Sequence, residues 1–185
     1  MRNLVLLAAT VLCLGSTFAH ATPLVEVTCY QNDCFKAGWI AEYPRAGFWA
    51  QTLCWKNDCS TYGWTVHDSR GVDTEVTCVG RGCFVDGWIE SVARGRQSQY
   101  YKCNAPRVTP QNGDMTPNCW KYGFEANGPS VVSSASCVND SCATSGWVTK
   151  QRGMRDVTTI CKTATNQTTG TTTSDCFRNG WNVYQ

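Results

Sequence analysis

Apolar and polar residues alternate along this chain in short runs, each broken before it is long enough to wind an amphipathic helix. Leu24–Cys29 and Asp73–Cys78 show the two-residue period of strands with one buried face. Val, Ile, Thr, Tyr and Trp fill such runs, while Gly, Asn, Asp and Pro separate them, so the pattern predicts strands and tight turns throughout. No stretch beyond residue 21 predicts a helix.

The runs repeat. Cys29 and Cys34 lead to Gly38 and Trp39, Cys54 and Cys59 to Gly63 and Trp64, Cys78 and Cys83 to Gly87 and Trp88, and Cys137 and Cys142 to Gly146 and Trp147. All four read Cys-x4-Cys-x3-Gly-Trp. Two further copies lengthen the first segment: Cys103 and Cys119 precede Gly123 and Phe124, and Cys161 and Cys176 precede Gly180 and Trp181. These long copies identify the bridges. An insertion between cysteines bonded to different neighbours would displace one of them, whereas an insertion between partners only lengthens a tip. The expected pairs are therefore 29–34, 54–59, 78–83, 103–119, 137–142 and 161–176, each closing the tip of an antiparallel hairpin.

Odd and even copies differ. Ile40, Ile89 and Val148 follow the odd tryptophans, whereas Thr65, Glu125 and Asn182 follow the even aromatics. On alternation alone, odd strands read as buried on both faces and even strands on one. The hairpins then group into three pseudo-repeats of about fifty residues, 22–75, 76–134 and 135–185, within one domain. The expected fold is all-β, six disulfide-tipped hairpins closed with pseudo-threefold, β-trefoil-like symmetry or as a hairpin ring. An open hairpin stack is the alternative, disfavoured because it leaves raw edges at both ends.

Composition places this scaffold outside the reducing cytoplasm. Residues 1–21 read as a secretory signal: a basic start at Arg2, an apolar run Leu4–Leu14 too short to span a bilayer, and an Ala19-x-Ala21 cleavage site. The chain has 13 cysteines; setting aside Cys13 in the leader leaves twelve, an even number suited to an oxidising compartment, extracellular or periplasmic. A net charge of +2 provides no field for nucleic acid, and no other segment is apolar enough to span a membrane.

Catalytic chemistry finds little to work with. His67 is the only histidine beyond the leader and reads as a solvated surface residue, so a two-imidazole metal site or relay is unavailable, and no nucleophile or phosphate-loop motif is present. No enzyme activity, cofactor or metal is expected. The recurrent Gly-Trp aromatics read as core, because a ligand site rarely needs all six copies. Candidate ligand contacts are the features outside the repeat. Trp55 and Trp120 each follow a bridge cysteine, and Asn112 and Asp114 sit in the long 103–119 tip. The far-end turns contribute Arg45, Arg70, Arg94, Arg96 and Arg152, a basic end suited to sulfated, phosphorylated or carboxylated groups. Short tips with Asn32, Asp33, Asn57, Asp58, Asn139 and Asp140 suit turns first and oxygen-ligand chemistry second. Asn139 and Asn166 begin glycosylation sequons.

These features predict a secreted, non-enzymatic binding protein, lectin-like, with a carbohydrate or protein ligand on a cell surface. The alternatives are a self-associating structural component of a surface, matrix or filament, and a secreted inhibitor or toxin.

Overall fold

A computed structural model describes residues 22–92, 98–106, 110, 113–128, 132–139 and 141–185; the leader, Arg94, Arg96, Asn112 and Asp140 lie outside them. Its strands are β1 (Val25–Cys29), β2 (Trp39–Tyr43), β3 (Phe48–Cys54), β4 (Trp64–Asp68), β5 (Asp73–Cys78), β6 (Gly87–Val92) and β7 (Gln99–Cys103) in the first half. The second half holds β8 (Phe124–Asn127), β9 (Val132–Cys137), β10 (Trp147–Gln151), β11 (Val157–Cys161), β12 (Thr163–Thr165), β13 (Thr172–Ser174) and β14 (Trp181–Tyr184). All but β12 and β13 form one closed antiparallel barrel, and β1 completes the ring by pairing with β14. The closed arrangement is therefore the one formed, and its first and last strands have no free edge. β12 and β13 form a separate small hairpin within the last long tip, docked where the Ser174 hydroxyl donates to the Thr144 carbonyl at 2.6 Å.

Followed around the ring, the pairing registers give a shear equal to the strand number. That equality tilts the strands by about 36° and stacks inward side chains in layers contributed by alternate strands. One layer is Trp39, Trp64, Trp88, Phe124, Trp147 and Trp181; Trp39 stands 5.8 Å from both Trp64 and Trp181. A barrel this wide, roughly half as wide again as an eight-stranded one, needs bulky rings to occupy its middle. Beside each ring, on the next strand, lies a residue of the adjoining layer: Thr52, Val76, Tyr101, Ala135, Thr159 and Val27. Tyr101 is the large member, stacked 4.7 Å from Trp88; burial, with Glu90 beside it, raises its hydroxyl above the ordinary phenol range.

The glycine before each aromatic has a packing reason. A side chain on Gly38 would collide with the Thr52 carbonyl, and one on Gly180 with the Val27 carbonyl, so glycine lets each copy close onto the next. All six expected disulfides are present, each within its own copy. Each first-cysteine sulfur also rests on a carbonyl of the preceding copy, as Cys54 does on Cys34 at 3.4 Å and Cys29 on Phe177 at 3.3 Å. A bridged sulfur carries no proton, so these are packing contacts.

Two expectations are corrected. Helix does occur: the second cysteine of five copies opens a single turn, α1 (Cys34–Ala37), α2 (Cys59–Tyr62), α3 (Cys119–Tyr122), α4 (Cys142–Ser145) and α5 (Cys176–Asn179), among the described residues. Asp33, Asp58, Asn118 and Asp175 cap these turns by accepting from backbone N–H groups. In the third copy Gly82 replaces the capping residue and no helix forms. There Arg81 instead grips Asp86 through its backbone N–H at 2.7 Å and its guanidinium at 2.6 Å.

The odd strands, second, are not buried on both faces. Ile40, Ile89 and Val148 lie on the outer wall, where Ile89 is 39 % exposed. A barrel has one interior, so on its outer wall these aliphatics shield one another across strands. Ile40 faces Gln51, one diagonal from Leu53, and Val148 faces Thr158, one diagonal from Ile160.

Candidate functional site

The short helices form a ring around one end of the barrel, with α1 against both α2 and α5, and α4 against both α3 and α5. The residue after each second cysteine sits in the first turn of its helix or loop at this end of the barrel. In order these residues are Phe35, Ser60, Phe84, Trp120, Ala143 and Phe177. The four rings meet edge to face: Phe35 lies 4.7 Å from Phe84, 5.3 Å from Trp120 and 4.6 Å from Phe177. Trp120 closes the group at 4.8 Å from Phe84 and 4.7 Å from Phe177. All four remain partly exposed, and beneath them lies the inward tryptophan layer, reached for example by Trp120 against Trp147 at 5.9 Å.

Over these rings opens a depression of about 500 Å³, rimmed by Asp33, Ser60, Asp175 and Arg178. Its polar rim follows from helix capping. Asp33 Oδ1 accepts from the Phe35 and Lys36 N–H groups, and Asp175 Oδ1 from those of Phe177 and Arg178. The second oxygen of each carboxylate remains for other partners, loosely paired with Lys36 at 3.6 Å and Arg178 at 3.8 Å. Arg178 is 77 % exposed in its side chain, so its guanidinium is free to reach over the rings. Across the rim, the Ser60 hydroxyl donates to Asp58. Burial pushes the Asp58 carboxyl up, but bonds from Ser60 and Thr61 outweigh it and leave the group below its usual range. An aromatic floor with a few fixed carboxylate, hydroxyl and guanidinium groups suits a ligand with one apolar face and polar edges.

Of the ligand contacts expected from the sequence and described in the structure, only Trp120 lies here. Trp55 turns its indole N–H to Thr65 Oγ1 at 2.7 Å, at the barrel wall. Asp114 accepts from the Thr116 N–H at 2.9 Å, with Lys121 and Arg81 nearby in charge. Arg45 and Arg70 do lie at the opposite end, but each has a partner. Arg45 donates to the Thr22 carbonyl at 3.1 Å, while Arg70 binds Asp68 at 2.6 Å and covers the Phe48 ring at 4.0 Å. Arg152 follows β10 in a turn at that same end and lines a groove on the outer wall. His67 is half exposed on that wall, its Nδ1 2.6 Å from Asp73. Among the described residues no helix is long and apolar enough to cross a membrane.

The rim residues Ser60, Asp175 and Arg178 were missed, as were Phe35, Phe84 and Phe177. The phenylalanine position directly follows a cysteine present in every copy, so it was readable, but Ser60 and Ala143 interrupt the recurrence. No family model, curated protein or solved structure matches this chain.

Proposed function

We propose that this is a secreted, non-enzymatic carbohydrate-binding protein whose site is the aromatic depression on the barrel axis. One observation carries the reading: four rings from four different copies converge on a partly exposed floor ringed by capping carboxylates and Arg178. A sugar ring offers an apolar C–H face to such a floor and hydroxyl edges to Asp33, Asp175 and Arg178. The bridges suit an extracellular or periplasmic setting, and a cell-surface glycan is the partner expected there. In this reading the three units and their trefoil-like symmetry belong to the outer wall. The site groups the copies differently, Phe35, Ser60 and Phe84 being answered by Trp120, Ala143 and Phe177.

The test is a broad glycan array, with and without calcium, using the native chain and Arg178→Ala. The native chain should retain a defined glycan set and the variant should lose it while keeping its melting temperature. No retained glycan, or the same set on the variant, refutes the assignment.

A further inference from the structure

The outer wall carries a second groove, and its cause is legible in β9. The outward residues Val132, Ser134 and Ser136 are short, whereas the strands on either side present long side chains. Glu125 and Asn127 of β8 form one bank, and Lys150 and Arg152 flank the other, around a volume of about 490 Å³. The registers set Glu125 opposite Ser134 and Ser134 opposite Lys150, so acid, hydroxyl and ammonium lie in one row across three strands.

Among the described residues Glu125, Lys150 and Arg152 enter no ion pair and are exposed, although the wall pairs other charges, such as Lys162 with Glu26 at 2.9 Å. Lys102 of β7 stands opposite Glu125 without closing an ion pair, and the banks themselves, two strands apart, are separated by about 9.6 Å of backbone. Opposite charges held apart over a floor of hydroxyls complement a small molecule carrying the reverse pair.

We propose that this groove binds a dipolar ligand of peptide-like length, with its ammonium on Glu125 and its carboxylate on Lys150 and Arg152. The Ser134 hydroxyl and the Asn127 amide meet its central polar groups. An extended dipeptide spans about 7 Å, which fits between banks whose long side chains lean inward. The site lies on the barrel wall and is independent of the axial depression.

The experiment is an NMR titration of the native protein with glycylglycine, N-acetyl-glycylglycine and glycylglycinamide, following the amides of Ser134 and Lys150. The free dipeptide should shift both resonances, and blocking either end should weaken binding about tenfold, as loss of a charge-assisted hydrogen bond does. Glu125→Gln should abolish discrimination against the acetylated form, and the Lys150→Ala/Arg152→Ala variant that against the amide. Ser134→Leu should fill the floor and abolish binding, whereas Arg178→Ala should leave it intact. Equal titration by all three ligands, no titration at all, or shifts that survive Ser134→Leu would overturn the proposal.

Discussion

Gly180 and Gly153 give a test of how the barrel closes. Their φ angles are nearly the same, 76° and 77°, but Gly180 joins its φ to a ψ of −165°, a region essentially confined to glycine. Alanine therefore carries a positive-φ penalty of about 1–2 kcal/mol at Gly153 and about 1–3 kcal/mol at Gly180. Their surroundings differ completely: nothing lies within 4 Å of a side chain on Gly153, whereas one on Gly180 would strike the Val27 carbonyl of the first strand. Gly180→Ala must therefore push β14 from β1, adding an overpacking cost of about 2 kcal/mol. The expected losses are about 1–2 kcal/mol for Gly153→Ala and about 3–5 kcal/mol for Gly180→Ala, a gap of roughly 30-fold or more in the folding equilibrium. Guanidinium denaturation without reductant, followed by tryptophan fluorescence, reads both. Equal losses would refute the claim that glycine is required here by the approach of the neighbouring copy.

Asp33→Ala should cost about 1 kcal/mol of stability in the same assay, because its carboxylate caps α1, while Ser141→Ala should cost only a few tenths, because that side chain makes no capping bond. Asp86 is held at about 2, below its ordinary 3.8, by the hydrogen bond from Arg81. Its folded-state pKa is depressed, so its stabilising contribution is present above about pH 4 and lost as the pH falls towards 2. Denaturation midpoints between those values should fall less steeply in Asp86→Asn than in the native chain, and equal slopes would contradict the assignment.

Strands, bridges and closure were legible because they rest on recurrence: Cys-x4-Cys fixed each tip, and the insertions at 103–119 and 161–176 fixed the partners. The helices escaped because a four-residue turn has no amphipathic period. Their signal was the pair of caps, Asp33 before the turn and Gly38 after it. Ile89 was misplaced because apolar residues on successive positions suggest two buried faces, whereas a barrel wall leaves one face to solvent. The axial site escaped for the opposite reason. Its chemistry lies where copies differ, Phe35 against Ser60, and a search for what repeats passes over such positions.

The first cysteine of every copy bonds the next one along the chain, across four intervening residues in four copies. A chain emerging from its amino end therefore offers each thiol its proper partner before any competitor. The first copy can be oxidised while the last is still unmade. No bridge awaits closure of the barrel, and none need be broken and remade to reach it. Twelve thiols, in another order, would make a shuffling problem; here they are a queue.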